Sequence, residues 1–420
     1  MAPRGDPFHA DAAIPGDKSL SHRALILAAM APGSSNLRNL GPGGDVESTR
    51  RVLRCLGVNI TAGTVHSPGI GAWSKPAAVL DAGNSGTTMR LMTGALAGRP
   101  FRSLLDGDES LRRRPMTRLV GPLAALGGEV TPGPGGRPPV SVHGGSLQGA
   151  HVELGIASAQ VRTAVMLAAL QADGGSTVDS PPGFRDHTER WLQHLGRGAW
   201  ESETRFRVDP GPVPPLQLSV PSDPSSAAFL WTAAAAVPGS IVTTRGVSLN
   251  PGRTGFLDVL AAMGAGVAIE MTANVLGDPV GDVTVTGGRL QAAEVSGALT
   301  VRMLDELPLV AVLGGLAEGT TMVADAGELR VKESDRIAST VSMLTAIGGD
   351  IEARDDGFAV TGSGSYAGGV VDAAGDHRIA MAAAVAAAGC SKVVTVHGAE
   401  AADVSWPGFF AMLEETCSSP

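Results

Sequence analysis

Six helix-length stretches of small apolar residues recur along the chain at intervals of roughly 65 to 80 residues. They consist mainly of Ala, Leu, Val and Met with almost no charged face, which predicts helices that are buried on all sides. The six stretches begin near His22, Thr87, Gln160, Ser225, Glu306 and His377. This spacing predicts an internal repeat of six units.

A second helix and β-rich runs complete each unit. The second helices, such as those at 51–57 and 336–348, have polar faces and are predicted to lie outside the apolar ones. The pattern is weaker in the third unit, at Gly196, and in the sixth, which reaches the end of the chain. Each unit is predicted to be of βαβαββ type. The glycines that follow these helices, as is typical of a C-cap, are Gly57, Gly127, Gly264 and Gly348.

A chain of 420 residues is too long for one ordinary hydrophobic core, so two domains are predicted. Six units then give three units in each domain. The segment 210–224, between the third and fourth units, is rich in proline, which is typical of a linker or crossover. The sequence therefore predicts the domain crossover in this segment.

Composition narrows the class of protein. Hydrophobic residues make up 43% of the chain and charged residues 17%, which indicates a folded globular protein. The net charge of -9 argues against nucleic acid and anionic membranes as partners. The sequence has no recognisable export signal or membrane span, so a soluble cytoplasmic protein is predicted. Cys55, Cys390 and Cys417 lie far apart, which indicates neither a metal site nor a disulfide framework.

Short polar or glycine-rich segments precede the apolar helices, and helix N-termini attract anions. One such segment alone is more often a simple cap than a ligand site. Several together, with cations that caps do not require, predict a site for phosphate and carboxylate groups. Only four of the 32 basic residues are lysines, which makes Lys18 and Lys332 informative. The cations near these helix starts are Lys18, Arg23, Arg90, Arg162, Arg336 and Arg378.

The segment 327–336 places Lys332, Glu333 and Arg336 within about one helical turn. An anion and its proton donor could share this edge. The alternative is a solvated, charged helix start in which Glu333 pairs with Arg336.

Motifs in these segments resemble those of the 5-enolpyruvylshikimate-3-phosphate (EPSP) synthase family along nearly the whole chain. The resemblance implies an α/β fold of two similar domains, each built from three βαβαββ repeats, the inside-out α/β barrel of the enolpyruvyl transferases. It also implies that the chain crosses twice, so that one domain spans 14–220 and the other 1–13 plus 221–420. The matching motifs lie at 15–19 with Arg23, 83–90, 113–116, 158–160, 185–189, 223–229, 330–336 and 376–381.

The resemblance implies transfer of the enolpyruvyl group of phosphoenolpyruvate to the 5-hydroxyl of shikimate 3-phosphate, with release of phosphate. The expected route is addition and elimination through a tetrahedral intermediate, as a step of aromatic amino acid biosynthesis. The two substrates are the expected partners. No cofactor or metal is expected, and the enzyme is expected to be a cytoplasmic monomer.

The resemblance also implies roles for individual residues. Asp305 would accept the proton of the hydroxyl, and Glu333, with Lys18 close by, would donate one to C3 and later take it back. The residues implied for phosphoenolpyruvate are Lys18, Asn84, Gly86, Arg114, Gln160, Arg336 and Arg378. Those implied for shikimate 3-phosphate are Lys18, Ser19, Arg23, Ser158, Ala159, Gln160, Arg185, Asp305 and Lys332.

Two alternatives remain. The UDP-N-acetylglucosamine enolpyruvyl transferases resemble this family, but they typically have a cysteine in the loop that is 106–116 here, and an asparagine where this chain has Ser19. A catalytically silent relative is the second alternative, and the presence of Asp305, Glu333 and Lys18 argues against it. Gly86 leaves room where alanine would crowd the inhibitor glyphosate, so inhibition competitive with phosphoenolpyruvate is predicted.

Overall fold

The computed structural model describes residues 6–155 and 157–418. The chain forms two compact units. We call Gly16–Pro221 with Asn274–Asp278 the N-unit, and Ser222–Ala273 with the described parts of Met1–Pro15 and Pro279–Pro420 the C-unit. The sequence analysis places the boundaries at 13/14 and 220/221 and does not separate Asn274–Asp278. Residues 1–5 of the predicted N-terminal segment lie outside the described residues.

The fold is mixed α/β. Its helices are α1 (Lys18–Met30), α2 (Gly44–Cys55), α3 (Gly86–Leu96), α4 (Glu109–Arg112), α5 (Val120–Ala125), α6 (Ala159–Ala169), α7 (His187–His194), α8 (Pro224–Ala236), α9 (Gly255–Ala262), α10 (Gly297–Arg302), α11 (Leu307–Leu316), α12 (Arg336–Ala346), α13 (His377–Ala386) and α14 (Phe409–Thr416). Short 3₁₀ turns lie at Ile70–Ala72, Thr117–Leu119, Pro134–Gly136, Gly327–Val331, Ala387–Gly389 and Ala399–Val404.

The strands are mostly short. They are β1 (His9–Ala12), β2 (Pro32–Arg38), β3 (Asn59–Thr61), β4 (Thr64–Pro68), β5 (Leu80–Asp81), β6 (Arg102–Asp106), β7 (Glu129–Gly133), β8 (Arg137–His143), β9 (His151–Glu153), β10 (Ser176–Asp179), β11 (Gly198–Trp200), β12 (Arg205–Val208), β13 (Gln217–Ser219), β14 (Ile241–Ser248), β15 (Gly266–Val275), β16 (Asp278–Thr286), β17 (Glu294–Val295), β18 (Thr320–Val323), β19 (Asp350–Arg354), β20 (Gly357–Thr361), β21 (Gly369–Asp372) and β22 (Val394–His397).

One sheet plan recurs through the described chain. In the sheet β5-β6-β8-β7, the first pair is parallel and the other two pairs are antiparallel. The sheets β13-β2-β4-β3, β9-β10-β12-β11 and β17-β18-β20-β19 follow the same plan. The sheet β1-β14-β16-β15 has the same order, and β21 and β22 form a parallel pair. This recurrence is the structural form of the predicted repeat.

Strands from distant parts of the chain complete the first sheet of the N-unit and the first sheet of the C-unit. β13 pairs in parallel with β2, with Gln217 opposite Asn36. β1 pairs in parallel with β14, with His9 opposite Ile241. The proline-rich segment 210–224 is therefore not a free linker, because β13 lies within it and belongs to a sheet.

The structure contains the six apolar helices that the sequence predicts, namely α1, α3, α6, α8, α11 and α13. In α1 every residue from Leu20 to Met30 is buried, and in α13 all ten residues are buried. The second helices α2, α5, α7, α9 and α12 each end at a glycine with positive φ. These glycines are Gly57 (88°), Gly127 (86°), Gly196 (66°), Gly264 (97°) and Gly348 (90°). The weak third unit therefore has the same helix end as the first, second, fourth and fifth units.

Each unit has its own hydrophobic core, built largely on its apolar helices. In the N-unit, α3 and α6 approach closely at Gly94, where an added methyl carbon would lie 2.1 Å from the carbonyl oxygen of Ala164. Within the described ranges, no helix is both long enough and apolar enough to cross a membrane.

His22 is a fully buried titratable group on α1 in the N-unit core. Its Nδ1 lies 2.7 Å from the Thr49 hydroxyl, which lies 2.7 Å from the Thr88 hydroxyl. Burial, assisted by the positive charges of Lys18, Arg23 and Arg50, holds the pKa of His22 well below its ordinary value of 6.5. The folded protein therefore contains a neutral imidazole at this position.

We predict that the free energy of unfolding falls as the pH drops through 6.5, because the unfolded chain then binds a proton that folded His22 does not. Between pH 7.5 and 5.5 this contribution is about 1.4 kcal/mol. Urea unfolding of His22→Gln should show a pH dependence smaller by this amount. The matched control is His66→Gln, at an exposed histidine of β4, which should keep the wild-type pH dependence. An unchanged pH dependence in His22→Gln would contradict the prediction.

Candidate functional site

The start of α1 holds Lys18 beside a carboxylate. Asp17 caps the helix by accepting the Leu20 N–H at 2.8 Å. Gly16 permits the turn before it, because a methyl carbon there would lie only 1.6 Å from the Asn39 carbonyl oxygen. The Lys18 ammonium lies 3.1 Å from the Asp45 carboxylate and remains partly exposed. The ammonium therefore stays accessible to a ligand.

The start of α3 lies beside Arg114. Arg114 is buried, and its Nη2 donates to the Asn84 side-chain oxygen at 2.6 Å. The Asn84 amide nitrogen donates to Asp108 at 2.7 Å. A methyl carbon on Gly86 would lie 3.3 Å from Arg114 Nη1. Asn84, Gly86 and Arg114, all implied for phosphoenolpyruvate, thus form one group of neighbours.

Gln160 joins this group from α6. Its side-chain oxygen accepts from Arg90 at 2.7 Å, and its amide nitrogen donates to the Thr87 hydroxyl at 2.9 Å. Arg90 lies one turn before Gly94, and Gln160 one turn before Ala164, so the close helix contact at Gly94 brings their first turns together. We call Asn84, Gly86, Arg90, Arg114 and Gln160 the Arg90 cluster.

Arg23 connects α1 to α6 and α7. It donates to the hydroxyls of Thr188 and Thr163 at 2.9 Å each and to the Ser19 carbonyl at 2.9 Å. Burial lowers the pKa of Arg23 to about 10, with a smaller lowering by the charge of Arg185. Arg23 therefore stays protonated at neutral pH, and part of its hydrogen-bonding capacity holds the fold.

The N-terminus of α6 supplies Ser158 and Ala159. The Ser158 hydroxyl accepts the Val161 N–H at 3.4 Å as a helix cap, and both residues are partly exposed. Arg185 is also partly exposed, and it directly precedes Asp186, the N-cap residue of α7. These positions remain accessible to a ligand of the N-unit.

Arg162 departs from the sequence analysis, which groups it with cations that have no structural need. It is 1% exposed and forms a buried ion pair with Glu189. Its position in the first turn of α6 is visible in the sequence, but the direction of its side chain is not. Arg162 is thus a structural cation and does not belong to the accessible group.

In the C-unit, one arginine meets three carboxylates. Arg336 is 1% exposed, and its Nη1 donates to Asp305 at 3.1 Å and its Nη2 to Glu333 at 2.5 Å. Its Nε donates to Asp376 at 2.8 Å. The alternative of a solvated helix start is therefore wrong for Arg336, although its pairing with Glu333 is present. We call Asp305, Glu333, Arg336, Asp376 and Arg378 the Arg336 cluster.

Further cations surround Asp305. The Lys332 ammonium lies 3.6 Å from one Asp305 oxygen, and Arg378 Nη2 lies 3.8 Å from the other. Arg378 Nη1 also lies 3.8 Å from the carboxylate of the buried Glu306. Asp305 is therefore enclosed by positive charge.

Mutual attraction outweighs burial in this cluster. Burial alone would lower the pKa of Arg336, but the charges of Asp376, Glu333 and Asp305 raise it above its ordinary value. Burial alone would raise the pKa of Asp376, yet the Arg336 charge holds it below the usual range. Both groups are therefore ionised in the folded protein.

Three of the carboxylate partners of these cations have no role in the sequence analysis. Asp45, Glu189 and Asp376 lie 27 to 40 residues from their partners Lys18, Arg162 and Arg336. Glu189 and Asp376 lie within the matching motifs 185–189 and 376–381, and Asp376 also caps α13 by accepting the Arg378 N–H at 2.9 Å. In the part of the chain that the structure describes, no group of three or more His, Cys, Asp or Glu could hold a metal ion.

Comparison with known proteins gives a full-length match. The model of the family described as EPSP synthase (3-phosphoshikimate 1-carboxyvinyltransferase) matches residues 4–413. A Bacillus licheniformis protein named 3-phosphoshikimate 1-carboxyvinyltransferase is 45% identical over 409 residues, which cover 96% of each chain. A protein of the same name from Herpetosiphon aurantiacus is 45% identical over 406 residues and 94% of each chain. A solved structure of EPSP synthase from Acinetobacter baumannii is 35% identical, with a TM-score of 0.87 over 100% of this chain and 98% of that chain.

We predict that Asp376→Asn lowers the free energy of unfolding by about 3 kcal/mol, because it removes one of the charges that compensate buried Arg336. Asparagine can still cap α13, so the loss reports the charge. Chemical denaturation measures the change. The control is Glu318→Gln, which removes an exposed carboxylate from its pair with Arg289 and should change stability by less than about 1 kcal/mol. Equal effects in the two variants would contradict the prediction.

Proposed function

The chain belongs to the EPSP synthase family and transfers the enolpyruvyl group of phosphoenolpyruvate to shikimate 3-phosphate. We propose that the Arg336 cluster supplies the two proton carriers, and that both the Arg336 cluster and the Arg90 cluster supply residues that bind phosphoenolpyruvate. The reaction requires one proton to leave the 5-hydroxyl of the acceptor and another to reach C3 of phosphoenolpyruvate. Two carboxylates on one buried arginine are the observation that best supports the proposal.

Asp305 and Glu333 are the proposed proton carriers. They are bound to the two terminal nitrogens of Arg336, at 3.1 and 2.5 Å, so a single guanidinium orients both carboxylates. Asp305 accepts the proton of the 5-hydroxyl while the hydroxyl oxygen forms a bond to C2 of phosphoenolpyruvate. Glu333 donates a proton to C3, which gives a tetrahedral intermediate.

The second half of the reaction reverses one proton transfer. Glu333 takes a proton back from C3 while the bond between C2 and the phosphate oxygen breaks and phosphate leaves. The double bond of the enolpyruvyl group is thereby restored on the new ether. Positive charge from arginines and lysines stabilises the phosphate and carboxylate groups throughout, without a change in protonation.

The proposed binding residues are those that the resemblance to the family implies. For phosphoenolpyruvate they are Lys18, Asn84, Gly86, Arg114 and Gln160 of the N-unit and Arg336 and Arg378 of the C-unit. For shikimate 3-phosphate they are Lys18, Ser19, Arg23, Ser158, Ala159, Gln160 and Arg185 of the N-unit and Asp305 and Lys332 of the C-unit. We further propose that the enzyme acts as a monomer in the cytoplasm.

We predict that Asp305→Ala and Glu333→Gln each lower kcat by about 10²-fold or more, because each removes a proton carrier. The assay measures phosphate release with both substrates present. Glu318→Gln, at an exposed carboxylate of the C-unit, is the control and should retain wild-type kcat.

Two results would overturn this assignment. Wild-type kcat in either variant would remove that residue from the proposed mechanism. Phosphate release with UDP-N-acetylglucosamine but not with shikimate 3-phosphate would show that the acceptor is wrong.

We predict that glyphosate inhibits competitively with phosphoenolpyruvate and that Gly86→Ala raises its inhibition constant by about tenfold or more. The added methyl carbon would lie 2.8 Å from Arg90 Nη1 and 3.3 Å from Arg114 Nη1, so both arginine ends must shift. Gly121→Ala, on α5 with open space around its added methyl carbon, is the control. No inhibition of the wild type at millimolar glyphosate, or an unchanged constant in Gly86→Ala, would contradict the prediction.

A further inference from the structure

Arg162 is a buried cation that the proposed mechanism does not use. Its Nε donates to the Glu189 carboxylate, and its Nη1 donates to the Ser180 hydroxyl and, at 3.2 Å, to the Thr204 carbonyl. Its guanidinium carbon lies 4.5 Å from the centre of the Phe184 ring and 5.3 Å from that of Trp200. The guanidinium is thus fixed both by hydrogen bonds and by two aromatic rings.

Three of these partners surround Arg185 in the sequence. Ser180 begins the loop 180–186 directly after β10, and Phe184 immediately precedes Arg185. Glu189 lies four residues after Arg185, on α7. The loop has no helix or strand of its own, so its shape depends on contacts such as these. Arg162 therefore fixes the chain on both sides of Arg185.

Arg162 is also close to the other proposed acceptor-binding segment. Its backbone N–H donates to the Ser158 carbonyl at 3.0 Å, within the first turn of α6. Next to it, the Thr163 hydroxyl lies 2.7 Å from the Thr188 hydroxyl, and Arg23 donates to both. The first turns of α6 and α7 are thus joined by two adjacent side-chain contacts.

Stability alone does not explain the buried ion pair between Arg162 and Glu189. Arg162 and Glu189 are 1% and 2% exposed, and burial raises the pKa of Glu189 above its ordinary value despite the opposing charge of Arg162. Replacing such a pair with apolar residues is often neutral or stabilising. Its geometry, which a planar fork of donors defines, is what an apolar replacement would lose.

We propose that Arg162 and Glu189 are positioning residues for shikimate 3-phosphate, which hold the loop 180–186, and with it Arg185, in a fixed position relative to the first turn of α6. The inference rests on the proposed assignment of Arg185 and Ser158 to this substrate. In this proposal the pair affects the binding of shikimate 3-phosphate through the loop 180–186 and does not contact the substrate itself.

The test compares Arg162→Lys and Glu189→Gln with the wild type. Lysine keeps the charge but loses the planar fork, and glutamine keeps an acceptor of the same shape but loses the charge. In Arg162→Lys, KM for shikimate 3-phosphate should rise about tenfold or more, while KM for phosphoenolpyruvate and kcat change less than about threefold. Glu189→Gln should show a smaller rise than Glu189→Ala, because its amide oxygen can still accept from Arg162.

Arg205→Lys is the matched control, because Arg205 on β12 forms an ion pair with Asp179 on the neighbouring strand β10, and Arg205 is itself exposed. This variant should keep wild-type KM values. Thermal unfolding of every variant separates lost folding from lost positioning. Equal rises in both KM values, or a wild-type KM for shikimate 3-phosphate in a folded Arg162→Lys, would overturn the proposal. If Arg162→Lys does not fold, the same two criteria apply to Glu189→Gln and Glu189→Ala.

Arg185→Ala separates this inference from the function on which it rests. A raised KM for shikimate 3-phosphate in Arg185→Ala, with no change in the Arg162 and Glu189 variants, refutes the positioning role and leaves the binding assignment intact. An unchanged KM in Arg185→Ala refutes the assignment of Arg185 itself.

Discussion

The contact between α3 and α6 depends on the absence of a side chain at Gly94, where a methyl carbon would lie 2.1 Å from the carbonyl oxygen of Ala164. Small residues allow the central helices to be packed on all sides, and the charged side chains of these helices lie in their first two turns. One turn before this contact, Arg90 reaches Gln160 at 2.7 Å. Gln160 therefore lies beside the first turn of α3 because two apolar helices pack closely.

Buried charge at these helix ends requires compensation, and both units supply it with carboxylates. Asp376 is fully buried, caps α13 and pairs with Arg336, so one side chain begins a helix and orients a cation. At the start of α8, Asp223 accepts the Ser225 N–H and a bond from the buried Arg253. In these pairs each buried arginine is neutralised by a nearby carboxylate, so the charge balance is set within each cluster and does not follow from the net charge of -9.

Much of the fold could be predicted from the sequence, because apolar periodicity and C-cap glycines report local structure directly. The six apolar helices and the glycine ends of the second helices follow from these patterns. The pairs Arg162–Glu189 and Arg336–Asp376 could not be predicted, since no local pattern links residues 27 and 40 positions apart. The direction of a side chain was equally hidden, so Arg162 resembled the accessible cations although it is buried. Residue roles came from the family motifs, which contain Glu189 and Asp376 but do not show which cation each of them pairs with.

The cations around Asp305 already pair with carboxylates of the protein. Arg336, Lys332 and Arg378 lie within 3.1 to 3.8 Å of its oxygens, so these cations are engaged before any substrate arrives. Under the proposed assignment, a bound phosphate or carboxylate must share them with Asp305 and Glu333. Added negative charge beside two carboxylates favours the protonated form of one of them. Under this assignment, the cations proposed to bind the substrate would also couple its arrival to the proton that the addition step consumes.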